Sequence, residues 1–190
     1  MNVRKKSIAL LLAALFCLAL PSCGMEQPTG NQTKPTKQTT TSAQVDYSPT
    51  AYDGSPYVEV NNNIPDFPAS DYTTTSFERY GKLDKLGRCT TAYANIGRDL
   101  MPTEKRGDIS QIKPSGWHSV RYDCVEGKSL YNRCHLIGYQ LTAENANEKN
   151  LITGTRYLNT EGMLPFENMV ADYIKETDNH VLYRVTPVYN

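Results

Sequence analysis

The chain has 190 residues, 39% of them hydrophobic, with 13 tyrosines. That is room for one domain of ordinary size plus extensions, with a strand-rich core. Its formal net charge is zero, which excludes global attraction as the basis of polyanion binding and leaves only a local basic patch.

Arg4, Lys5 and Lys6 precede an apolar run over 8–20. That run is too short to span a bilayer and has the form of a signal h-region. It ends at Leu20-Pro-Ser-Cys23-Gly, which resembles a bacterial lipobox and makes Cys23 the candidate lipidation site. Residues 1–23 are therefore expected to be a signal peptide, and the product to be held at the outer face of the membrane or secreted. Processing would remove three cations and no anion, leaving the mature chain mildly acidic. Residues 24–46 are Thr, Gln, Lys, Pro and Asn with almost no apolar side chain. Such a stretch cannot bury enough surface to order itself and reads as a tether.

The domain is expected over 47–190. Its lead-in contains Tyr57-Val-Glu-Val60, a candidate edge strand, followed by an Asn turn. Residues 88–96 alternate as a strand, with Thr90, Ala92 and Ala94 on one face. Residues 102–107 form a charged loop. Residues 117–124 alternate well, and Glu126-Gly127 supplies a turn, so 117–124 and 129–134 read as an antiparallel hairpin. Pro165 suits a helix first turn. Phe166, Met169, Val170, Tyr173 and Ile174 then recur at helical spacing as one apolar stripe, with Glu167 just outside it. Residues 181–188 read as a final strand.

Three cysteines, Cys89, Cys124 and Cys134, fall in the domain and permit one disulfide with one thiol left over. No Cys-x-x-Cys occurs, which argues against a structural zinc site. Cys134 adjoins His135, but neighbours on a strand face opposite ways, which disfavours a Cys–His nucleophile.

Tyr131-Asn-Arg-Cys-His135 and Asn150-Leu-Ile-Thr-Gly-Thr-Arg156 carry the chemistry. Arg133 and His135 stand two apart on an extended segment and leave on one face. Phosphodiester hydrolysis needs a base for water, a cation for the non-bridging oxygen and a stabiliser for the departing oxygen. His135 can be the base, since imidazole titrates near neutrality. Asn150 can offer a neutral oxygen to a hard cation, with Asn145 and Asn147 as competitors. Glu167 can hold metal-bound water or simply favour a helix N-terminus. Arg133 and Arg156 can clamp phosphate oxygens. Trp117 reads as packing, with base stacking as the alternative.

Asn132-Arg-Cys-His135, Asn150-Leu-Ile-Thr-Gly-Thr and Gly162-Met-Leu-Pro-Phe-Glu167 together resemble the DNA/RNA non-specific endonuclease family, best its branch of secreted nucleases from Gram-positive bacteria. The likeness runs from about residue 77 to 189. It implies an α+β fold: a ββα-metal nuclease core with a mostly antiparallel sheet and a helix carrying the acidic residue of the metal site. It implies His135 as general base beside Arg133, Asn150 as ligand of one Mg²⁺ (with Mn²⁺ as a substitute), and Glu167 as the helix acid. Arg156 and Asn132 are the expected substrate-binding residues, DNA or RNA the substrate, and 5′-phosphates the products. Asn132 and Cys134 stand where the family motif has Asp and Gly. The rival from another class is a non-catalytic surface lipoprotein that binds nucleic acid for uptake. No protein partner is expected.

Overall fold

A computed structural model describes residues 51–189, which fall in one compact unit. The expected signal peptide and tether, with Cys23, lie outside the described residues.

Three strands form an antiparallel sheet in the order β1 (Phe77–Tyr80), β2 (Ala92–Ile96) and β5 (Val181–Val185). The central strand buries Ala92, Ala94 and Ile96 on one face, but it begins at Ala92, leaving Thr90 outside it, and Asn95 is buried as well. Small side chains at 92 and 94 let a helix lie close over the sheet. Two further strands, β3 (Tyr131–His135) and β4 (Leu151–Thr155), pair antiparallel, with Arg133 opposite Thr153 and His135 opposite Leu151. Between them lies α1 (Tyr139–Thr142), a single turn ended by Ala143 in the left-handed region. After β4 a π-helical turn (Leu158–Met163) leads into α2 (Leu164–Thr177), with Pro165 in its first turn. The core joins Ala92, Ala94 and Ile96 to Leu136, Ile137 and Leu141, and to Ala171 and Ile174 of α2. The segment leaving His135 is thus clamped between sheet and helix.

Four expectations are corrected. Residues 117–124 do not form the strand that pairs with the motif. Arg121 makes only an isolated bridge to Ser129, and β3 takes its ladder from β4. The alternation at 117–124 reflects loop packing: Trp117 lies against Arg133, and His118 against Tyr131 with ring centroids 4.6 Å apart. Secondly, α2 is turned from its expected orientation. Glu167, Ala171 and Ile174 are buried while Phe166, Met169 and Tyr173 are exposed. Ala171 is the residue small enough to approach the sheet, so its row, Glu167 included, faces inward. Thirdly, residues 57–60 form no strand and are exposed; Tyr57 instead meets Phe166 edge-on at 4.9 Å. Finally, Cys89, Cys124 and Cys134 are all unpaired.

Candidate active site

His135 ends β3, where the chain turns into the core, and is 6% exposed. Its Nε2 is 2.8 Å from the carbonyl oxygen of Asn145. A carbonyl only accepts, so Nε2 carries the proton and Nδ1 keeps the free lone pair. Burial, followed by the Arg106 guanidinium, holds the imidazole below its ordinary pKa, although the bond to Asn145 opposes the shift. The ring is therefore neutral at pH 7, as a base must be.

Beside it opens a cavity of about 240 Å³ lined by Arg106, His135, Gly138, Asn159 and Glu167, among others. Glu167 reaches it from the buried face of α2. Burial raises its carboxyl to about 7, only partly offset by neighbouring donors and by Arg106. No ion pair among the described residues involves it. Gly138 makes room for this carboxylate: a Cβ there would lie 2.3 Å from Glu167 Oε2. That is the physical reason for glycine at the mouth of α1.

Asn150 occupies a different place from the one expected of it. It is fully buried; its Oδ1 accepts from Ile137 N–H and its Nδ2 donates to Ile137 C=O, both at 2.9 Å. Both ends of the amide bond the chain after His135, and Asn150 is not among the residues that line the cavity. The residue that sequence reading missed is Asn159, half-buried in the π-helical turn and lining the cavity with His135 and Glu167. Its sequence signal was weak: it lies eight residues before Glu167, and the π-helical turn between them defeats ordinary helical spacing. Asn145 contributes its backbone carbonyl, and the carbonyl of Asn147 accepts from Asn150 N–H.

Arg106 is the second residue missed, read only as part of a charged loop. Tyr139 Oη holds that loop by donating to Glu104 C=O at 3.0 Å. Arg106 is exposed and lies close enough to His135 and Glu167 to bias both. Arg133 shares the His135 face as expected, but it is tethered. Its Nε donates to Ile112 C=O at 2.6 Å, its guanidinium NH₂ to Ser110 C=O at 2.9 Å, and it stacks 3.8 Å over the Trp117 ring. Cys134 is fully buried with its thiol pushed up to about 12 by burial, which removes it as a nucleophile. Its sulfur fills the space left open by Gly154, where a Cβ would lie 2.7 Å from Sγ.

Along β3 a second hollow of about 490 Å³ continues the first, sharing Arg106, Arg133 and Asn159 and adding Trp117, Asn132 and Arg156. The site therefore has a small buried chamber and a longer cationic groove. The described residues contain no group of three or more His, Cys, Asp or Glu able to hold a metal, so a protein cage is absent there. What the chamber offers is the neutral amides of Asn159 and Gln140 and one buried carboxylate outside any ion pair, Glu167. That set fits a hard divalent ion that keeps most of its waters, and it does not fit structural zinc.

The model of the DNA/RNA non-specific endonuclease family matches residues 68–190. Among solved structures, NucA from Streptococcus agalactiae with magnesium bound is 26% identical, covering 69% of this chain and 64% of its own, with a TM-score of 0.60. The same nuclease with no metal bound matches over the same shares at 26% identity and a TM-score of 0.58. This chain thus spans somewhat less than two thirds of the length of that nuclease. A search of curated proteins found no match. With its antiparallel ββα core, its histidine at the strand end and its helix carboxylate, the chain belongs to the DNA/RNA non-specific endonuclease family.

Proposed function

We propose that the chain is a divalent-metal-dependent endonuclease that hydrolyses DNA and RNA phosphodiesters with little regard to the sugar, leaving 5′-phosphates. The observation that carries this reading is the neutral, oriented His135 sharing one chamber with Asn159 and the buried Glu167. His135 Nδ1 takes the proton of the attacking water, while the bond from Nε2 to Asn145 fixes the ring and accommodates the imidazolium that forms. Arg106 is free to follow the negative charge that grows on the phosphoryl oxygens. Arg133, pinned to the Ser110 and Ile112 carbonyls, supplies fixed positive potential beside the histidine. Asn159 would hold the metal directly and Glu167 through water. The ion, Mg²⁺ with Mn²⁺ as a substitute, would supply Lewis-acid charge for the non-bridging and departing oxygens. Asn132 and Arg156 line the groove along which the rest of the strand would lie.

The same proposal includes an exported enzyme: residues 1–23 as a signal with lipidation at Cys23, 24–46 as a tether, and 47–190 as the nuclease domain at the outer membrane face or released from it. Digestion of plasmid DNA and of RNA, with and without EDTA, beside His135→Ala, tests the reaction. Cleavage that depends on metal and on His135 is expected; full cleavage surviving both treatments would exclude the mechanism.

A further inference from the structure

The groove contains three arginines in different states, and the difference assigns one of them a separate role. Arg133 has both ends of its guanidinium committed to backbone carbonyls. Arg106 serves the chamber. Arg156 is neither committed nor free. Its only ion-pair partner among the described residues is Glu126, at 3.3 Å, which is long for a charge-assisted bond. Its Nε is buried and has no hydrogen-bond partner. An orphaned donor on a charged group is costly to leave in place.

A turn covers it. Lys128 N–H closes residues 125–128 on Val125 C=O at 2.7 Å, and Gly127, in the left-handed region at φ +68°, lies flat against the guanidinium. A Cβ on Gly127 would come within 3.6 Å of Arg156 Cζ and Nε. The Glu126 side chain is 84% exposed while that of Arg156 is 31% exposed. The carboxylate is therefore held by water and by this one contact, and it can leave at little cost. A phosphate diester that displaced it could accept from both terminal NH₂ groups, the bidentate arrangement that Glu126 does not achieve.

We propose that Arg156 is a second phosphate subsite, flanking the chamber, and that Glu126 is its resident anionic competitor. Arg156 N–H donates to Leu130 C=O, and three residues on along the same helical turn Asn159 lines both the groove and the chamber. Residues three apart on a helical turn lie about 5–6 Å from one another, so the subsite takes a phosphate within a nucleotide or two of the one being cut. Chains long enough to bridge chamber and groove gain its contact, and short ones do not. Glu126 then sets how strongly long strands are preferred. The subsite rests on the nuclease reading for its substrate, but its test does not require turnover.

The probe is a series of fluorescein-labelled oligothymidylates of increasing length, with binding followed by anisotropy in EDTA at several salt concentrations. Glu126 is at the surface, so Glu126→Gln leaves the fold intact. It should tighten binding of oligomers longer than the span roughly two- to five-fold, without tightening binding of dinucleotides. Arg156→Lys, which keeps the charge and loses the fork, should weaken long oligomers selectively. Arg156→Ala should in addition reduce the salt slope by about one ion. Affinity for long strands that is unchanged in Glu126→Gln, or a gain equal for long and short oligomers, would overturn the proposal. If the wild type binds with this length dependence yet cleaves nothing in Mg²⁺, the nuclease reading fails and the subsite stands.

Discussion

The chamber and the groove lie side by side along β3, yet they are built on opposite principles. In the chamber, burial governs. His135 and Glu167 are 6% and 8% exposed, and loss of water moves both groups toward their neutral forms, lowering the one and raising the other to about 7. In the groove the charges are half-exposed and held by exchangeable or backbone partners: Glu126 on Arg156, and the Ser110 and Ile112 carbonyls on Arg133. A chamber of this kind suits proton transfer and a tightly held cation. A solvated groove suits a polyanion that must slide and leave. The lesson is that formal charge alone does not divide the roles. Arg106 and Arg156 carry the same charge, but one borders a dry carboxylate and the other a wet one.

The comparison is broken most severely at the base. His135→Ala should lower cleavage in saturating Mg²⁺ by about 10²- to 10⁴-fold with DNA affinity in EDTA nearly unchanged, measured by plasmid digestion and anisotropy together. If the chamber were merely structural, affinity and cleavage would fall together.

Glu167→Gln removes the buried carboxylate and should act in two directions. Turnover falls, and the metal-free protein becomes more stable. The sign follows from linkage: an acid at 4.5 when unfolded and about 7 when folded binds more protons in the folded state between those values. Its presence therefore costs stability as pH rises from about 4.5 to 7, on the order of 3 kcal/mol in full. Melting in EDTA should show the variant equal to wild type near pH 4.5 and more stable at pH 8. Mg²⁺ should narrow the gap by favouring the carboxylate. A variant less stable at every pH would place Glu167 among the structural contacts.

Smaller still is the acid limb. Because the His135 pKa lies below its ordinary 6.5, the base form persists under mildly acidic conditions. The acid limb of kcat/KM should have its midpoint below 6.5. In the folded state this group also binds fewer protons than in the unfolded state, so its contribution to stability is lost as pH falls below 6.5. A midpoint above 6.5 would contradict the burial argument.

Much of the chamber could be read from residue order, and the failures have particular causes. Strand parity correctly set Arg133 and His135 on one face and Cys134 on the other, because a ladder enforces period two. Pro165 marked the start of α2. The stripe on α2 was misjudged because hydrophobicity alone weights Phe166 and Met169 above Ala171, whereas close approach to a sheet favours the small residue. The partner of β3 was misjudged because the pairing of 117–124 with the following segment is limited to one bridge and two backbone bonds, Tyr122 N–H to Lys128 C=O and Leu130 N–H to Val120 C=O, which stop short of the motif. Asn150 was preferred to Asn145 and Asn147, and Asn159 was passed over, because a buried asparagine that clasps a backbone segment looks, in sequence, the same as one that offers its oxygen to a cation. Only the bonds to Ile137 separate them.

That pair of asparagines gives the most direct test. The Mg²⁺ dependence of plasmid cleavage should be measured for Asn159→Ala and Asn150→Ala, with thermal melts of each, at a temperature where both remain folded. Asn159→Ala is expected to keep the wild-type melting temperature in EDTA while needing at least about ten-fold more Mg²⁺ for half-maximal cleavage. Asn150→Ala is expected to lose stability, roughly 2–4 kcal/mol for two buried hydrogen bonds, while the Mg²⁺ requirement of its folded fraction stays that of wild type. The reverse outcome, with Asn159→Ala cleaving at wild-type Mg²⁺ and Asn150→Ala requiring more, would contradict the assignment of the metal to the chamber between β3 and α2.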